Sequence, residues 1–117
     1  MVFGTPGVDN QDQWTLQFFL NVVDFGMDVQ DAIDAPAFHT THFPSSFYPR
    51  KATPCGLVIE ARVASAVIDD LKARGHEVRV APGWTLNYTT AVLYDPDRGL
   101  IEGGASSRGE RNYAMGW

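Results

Sequence analysis

The sequence holds one cysteine, Cys55, in 117 residues. A single thiol excludes an internal disulfide framework and a cysteine metal cluster, and it fits a reducing compartment. Basic residues are also few: nine Lys and Arg against fourteen Asp and Glu leave a formal net charge of −5. The nine are scattered at Arg50, Lys51, Arg62, Lys72, Arg74, Arg79, Arg98, Arg108 and Arg111. They form no stripe able to neutralise a run of phosphates, which argues against nucleic acid as a partner. No apolar run approaches the roughly 18–20 residues that cross a bilayer, and no basic region precedes a continuous apolar stretch at the N-terminus. A soluble chain with no membrane partner, no targeting signal and a cytoplasmic location is therefore expected. What is abundant is apolar material, 44% of residues with 12% aromatic, enough for one modest core. Residues 1–117 are expected to form a single domain or part of one.

Met1-Val2-Phe3 is strand-like and runs into Gly4-Thr5-Pro6-Gly7, a tight turn. From Trp14 to Phe25 apolar residues dominate, while Gln13, Gln17, Asn21 and Asp24 fall on one narrow polar stripe at helical spacing. This predicts a helix that needs protein on several sides. Asp28 is placed to cap a short second helix carrying Val29, Ala32 and Ile33, which Pro36 stops. Residues 36–54, with four prolines and the rings of Phe38, Phe43, Phe47 and Tyr48, read as an irregular segment pinned by buried aromatics. Leu57 to Ala61 reads as a strand, residues 64–74 as a helix closed by Gly75, and His76 to Pro82 as a half-exposed strand. Thr89 to Tyr94 and Leu100 to Glu102 flank Asp95-Pro96-Asp97-Arg98-Gly99 and predict a hairpin. Two or three helices with about five short strands give a mixed α/β (α+β) layered arrangement.

The run from Gly4-Thr5-Pro6-Gly7-Val8-Asp9-Asn10 through Leu20-Asn21 resembles a signature of the C-terminal part of the γ-glutamyltransferase (γ-glutamyltranspeptidase) small subunit. Ala32-Ile33-Asp34-Ala35-Pro36-Ala37-Phe38-His39, Leu57-Val58-Ile59-Glu60, Gly75-His76-Glu77-Val78, Gly103-Gly104-Ala105 and Tyr113-Ala114-Met115-Gly116-Trp117 continue the likeness in order. The resemblance implies an N-terminal-nucleophile hydrolase, an αββα sandwich with a mostly antiparallel sheet, matured by self-cleavage. In that family the new N-terminal threonine attacks a γ-glutamyl amide such as glutathione, and the acyl group passes to water or an amino acid. By the family's order that threonine and most substrate-gripping residues lie upstream of Met1. One catalytic element carries over: a Gly-Gly pair after Thr/Ser-Pro, whose backbone N–H groups stabilise the oxyanion. Gly7 and Val8 occupy those positions. No cofactor is implied.

Two signals compete with this reading. Thr40-Thr41-His42 resembles the motif that opens the family's small subunit, but it follows the oxyanion turn instead of preceding it, so a loop role is expected. His39 and His42 stand three apart without further ligands nearby, and no metal site is expected. The resemblance thus implies a chain that contributes the oxyanion turn, is inactive alone, and works on a γ-glutamyl substrate only when upstream polypeptide completes it. The alternative is a non-catalytic remnant that acts as a structural or self-associating module, since an incomplete fold leaves apolar faces uncovered.

Overall fold

A computed structural model describes residues 1–109 and 112–116; Arg111, and Trp117 of the terminal motif, lie outside the described residues. The chain divides into two compact units, one made of Met1–Ala35 with the chain from Asn87 onward, the other of Pro36–Leu86.

In the first unit, strand β1 (Val2–Gly4) leads through a 3-10 turn (Val8–Asn10) into helix α1 (Gln11–Val23) and then α2 (Val29–Asp34). Strands β5 (Thr90–Asp95) and β6 (Leu100–Ala105) complete an antiparallel sheet in the order β1-β5-β6. Asp28 caps α2 as expected, its carboxylate accepting the Asp31 N–H at 2.8 Å. Strand alternation sends Phe3, Ala91, Leu93 and Gly104 to one face. Phe18, Val29, Ala32, Ile33 and Ala91 form the core, with Phe3, Val22 and Leu93 packed against it. Helix α2 lies so close on β6 that a Cβ on Gly104 would stand 2.8 Å from both Ile33 Cδ1 and Val29 Cγ1. The Gln30 side-chain amide then pairs with the backbone of Ala105, donating to its carbonyl and accepting its N–H at 3.1 Å each. The opposite sheet face carries Val2, Val92, Tyr94 and Ile101, all exposed. On α1, Leu16, Phe19 and Val23 make an exposed apolar stripe at positions i, i+3 and i+7, so the helix is uncovered on the side its composition predicts should be covered.

In the second unit, β2 (Phe38–Thr40) pairs antiparallel with β3 (Gly56–Glu60), which pairs parallel with β4 (Glu77–Ala81) across helix α3 (Ser65–Ala73). Every residue of β3 is buried. That strand–helix–strand step accounts for the apolar run ending at Glu60, because a central strand faces protein on both sides. Two expectations need correction. Residues 36–54 contain strand β2, and the rings of Phe43, Phe47 and Tyr48 stand outward, Tyr48 at 94% exposure. Backbone bonds hold the segment instead: Ser45 N–H to Lys51 O at 2.9 Å and Thr53 N–H to Thr41 O at 2.8 Å.

Among the described residues the architecture is mixed α/β, with three α-helices and two small, mostly antiparallel sheets. Among the described residues no helix is long and apolar enough to cross a membrane.

Candidate functional site

The chain leaves β1 through Gly4-Thr5-Pro6-Gly7-Val8 and turns at once into the 3-10 turn and α1. Thr5 fixes the entry. Its hydroxyl donates to Pro6 O at 2.8 Å and accepts the Tyr88 N–H at 3.1 Å. Gly7 sits at φ 139° and ψ 9°, a conformation reserved for glycine. Trp14, buried on α1, closes over it: a Cβ on Gly7 would fall 2.9 Å from Trp14 Cε3 and nearer still to Cζ3. The Trp14 and Tyr88 rings meet edge to face at 6.5 Å. The sequence of the turn is thus matched to a backbone that only glycine at position 7 allows, held between Trp14 and Tyr88.

Val8 follows at φ 52°. Among the described residues Val8, Arg50, Cys55, Trp84 and Asn87 are the non-glycine residues with positive φ, and Val8 alone of these is β-branched. Such a conformation costs on the order of 1–3 kcal/mol. Valine thus takes a left-handed backbone at a position where glycine would be unstrained. Gly7 O accepts the Asn10 N–H at 3.0 Å, and Val8 O accepts from Gln11. Among the described residues neither the Gly7 N–H nor the Val8 N–H donates a hydrogen bond. Donors at the start of a helix have no intrahelical acceptor, so two adjacent N–H groups are available at this point.

A buried polar frame supports Tyr88. Asn87, Thr89 and Ser106 are all buried; Asn87 Oδ1 accepts the Thr89 N–H at 3.1 Å and the Thr89 hydroxyl, and Ser106 Oγ donates to Asn87 O at 3.0 Å. Ser106 N–H completes the ring on Thr89 O at 2.9 Å. Two residues on, Arg108 caps the C-terminus of α2, donating to Ile33 O at 2.7 Å, Ala35 O at 2.8 Å and Asp34 O at 3.2 Å. Sequence reasoning passed over this frame: Asn, Thr and Ser beside strands read as turn residues, and Arg108 reads as one scattered cation.

The second unit holds the other residues singled out. Thr40 ends β2 with its hydroxyl donating to Gly56 O at 2.9 Å and accepting the His42 N–H at 3.1 Å, while His42 Nδ1 accepts the Cys55 N–H at 2.9 Å. These are structural tasks. No group of three or more metal-ligating side chains occurs among the described residues. His39 is buried in β2, and burial first, then the Arg79 charge, lowers its pKa below the ordinary 6.5. The neutral ring is thus favoured in the folded chain, and the stability it carries is complete above about pH 6.5 and lost as pH falls through the lowered folded value. Urea midpoints measured from pH 7.5 down to 5 are expected to fall more steeply for the wild type than for His39→Leu. Equal slopes would show that His39 does not set the acid sensitivity.

Glu60, read in the sequence only as the end of a strand, is a fully buried carboxylate. Oε1 accepts the N–H groups of Thr85 and Leu86 at 3.0 Å each, and Oε2 accepts Ala37 N–H at 3.3 Å and Arg62 Nη2 at 3.1 Å. The Arg62 guanidinium in turn lies 3.6 Å over the Trp84 ring. The available signal was an acid at the end of an apolar run with an arginine two residues on.

With this geometry in hand, a sequence model of the family described as Gamma-glutamyltranspeptidase matches residues 1–116. The chain belongs to the γ-glutamyltranspeptidase family. It is 29% identical over 112 residues, 94% of its length, to the glutathione hydrolase-like YwrD proenzyme of Bacillus subtilis strain 168, and this match spans 20% of that relative. The solved structure of LmbA2991 superposes with a TM-score of 0.92 at 47% identity, covering 98% of this chain and 21% of that one. The γ-glutamyltranspeptidase of Pseudomonas nitroreducens, 24% identical, shares the fold with a TM-score of 0.75 over 99% of this chain and 54% of its own. The chain therefore spans about a fifth of the length of the Bacillus relative.

Proposed function

We propose that this chain is the C-terminal part of an enzyme that transfers or hydrolyses γ-glutamyl amides such as glutathione, with the Gly7 and Val8 N–H groups stabilising the oxyanion. The nucleophilic threonine comes from upstream polypeptide. The observation that carries this reading is the backbone at Gly7-Val8: two adjacent donors, fixed by Thr5, Trp14 and Tyr88, in a chain of this family. Preorganised donors of this kind stabilise charge as it forms in the tetrahedral intermediate without reorganising. Two uncovered apolar surfaces support completion by further polypeptide: the sheet face with Val2, Val92 and Ile101, and the α1 stripe with Leu16, Phe19 and Val23.

The chain alone is expected to turn over no chromogenic γ-glutamyl anilide, and co-production with an upstream γ-glutamyltranspeptidase segment bearing the threonine is expected to restore turnover. Activity of the isolated chain that disappears in a Thr40→Ala, Thr41→Ala variant would place the nucleophile within these residues and overturn the proposal. The same exposed surfaces also favour the second reading, a self-associating module without catalysis. Sedimentation separates the two: self-association that persists when the upstream segment is supplied, with no turnover, supports the module.

A further inference from the structure

An edge strand presents a row of unpaired backbone N–H and C=O groups, and soluble proteins blunt such edges by brevity or by charges that repel a second strand. Strand β4 does neither. It is an edge of its three-stranded sheet, runs for five residues (Glu77–Ala81), and leaves Glu77, Arg79 and Val80 exposed. Glu77 N–H donates to Cys55 O at 2.9 Å, and Ala81 O accepts the Ala61 N–H at 2.9 Å. The alternation of a strand therefore turns the backbone groups of Glu77, Arg79 and Ala81 toward β3 and those of Val78 and Val80 away from it. Glu77 and Arg79 flank Val78 on one face of the strand, and neither joins an ion pair among the described residues.

We propose that β4 pairs antiparallel with β4 of a second copy of this chain about a two-fold axis at Val78, so that Glu77 of each copy faces Arg79 of the other. Backbone parity and charge agree on this register. Val78 meets its own copy as a hydrogen-bonded pair, exchanging two N–H···O=C bonds, because its backbone groups are among those that face outward. Glu77 and Arg79 of the other copy then form the closer, non-hydrogen-bonded pair, where opposite charges stabilise the ladder. An axis at Glu77 or at Arg79 would set like charges directly opposite each other. An axis at Val80 would bring Pro82, which has no N–H, into the ladder. The pairing uses neither apolar surface of the first unit and is independent of the catalytic reading.

Sedimentation of the full chain over a concentration series, as wild type, Glu77→Arg, Arg79→Glu and the double variant, tests the register. Wild type is expected to dimerise. Each single reversal sets like charges opposite twice per dimer and is expected to raise the dimer Kd about tenfold or more, the scale of two lost cross-strand pairs. The double variant exchanges the two charges and is expected to return Kd close to the wild-type value. A second measurement needs no charge reversal and decides the matter where a reversed chain fails to fold. In a Cys55→Ser background, Glu77→Cys mixed with Arg79→Cys is expected to form a mixed disulfide, since the opposed Cα atoms stand about 4.5 Å apart. Either variant alone is expected to cross-link far more slowly, because its thiols lie on the diagonal, about 7–8 Å apart. A wild type that stays monomeric at its highest soluble concentration would overturn the inference. So would single reversals that leave Kd unchanged, a double variant as weak as the singles, or homodisulfides that form as fast as the mixed one.

Discussion

Glu60→Ala is expected to destabilise the chain by about 3–5 kcal/mol, the cost of breaking a buried ion pair from one side. The carboxylate is the shared acceptor for three backbone N–H groups, from Ala37, Thr85 and Leu86, and for the Arg62 guanidinium. Deleting it leaves all three amides and a half-buried cation to find other acceptors. Glu60→Gln is expected to cost nearly as much, because its NH₂ must replace an oxygen that now faces donors. Arg62→Ala is expected to be milder: the arginine side chain is 23% exposed, and the carboxylate keeps its backbone partners. Urea denaturation of the three variants checks this order. A loss below about 1 kcal/mol for Glu60→Ala would mean that the freed amides reach water, contrary to the burial of the Ala37 and Leu86 bonds.

On the oxyanion role proposed above, Gly7→Ala in the chain assembled with its upstream segment is expected to lower kcat by about 10²–10³, the scale of losing one oxyanion donor. Two physical causes act together. The φ of 139° lies where an L side chain is strained, and the added Cβ drives into the Trp14 ring. They can be separated, because Trp14→Phe removes the part of the ring that the Cβ meets. The double variant Gly7→Ala, Trp14→Phe is expected to regain stability relative to Gly7→Ala while turnover stays low, since the backbone at position 7 remains displaced. Recovery of both would show that crowding alone was responsible, and the turn would then tolerate a side chain.

Local chemistry made several elements legible before the structure was known. Asp28 before Val29 signals a cap, alternation at Val78 and Val80 signals a strand, and Asp95-Pro96-Asp97-Arg98-Gly99 signals the hairpin turn now seen between β5 and β6. The turn at Gly7 was legible because it combines a glycine with a family-like context. Tertiary facts were not legible. Strand β2 is three residues long and exists through its pairing with β3, which no local pattern announces. The aromatic segment misled because rings were expected to seek burial, whereas Phe43, Phe47 and Tyr48 stand outward from a loop closed by backbone bonds. Glu60 and Asn87 escaped notice for the same reason: a polar side chain announces its acceptors only when distant segments arrive around it.

The division into units implies an order of assembly. Val2 pairs with Val92, and Arg108 reaches Ile33 and Ala35, so the first unit cannot close until nearly the whole chain is available. Residues 36–86 are contiguous, and their strands meet over much shorter sequence separations. Loop-closure entropy therefore favours early folding of this inserted segment during synthesis, with β1 and α1 waiting for β5. Ala35 and Asn87, the residues of the first unit that flank the insertion, are both tied to the stretch from Ser106 to Arg108. That late-made stretch works as a clasp: its arrival joins the two halves of the discontinuous unit and sets Tyr88 against Thr5, the contact on which the glycine turn depends.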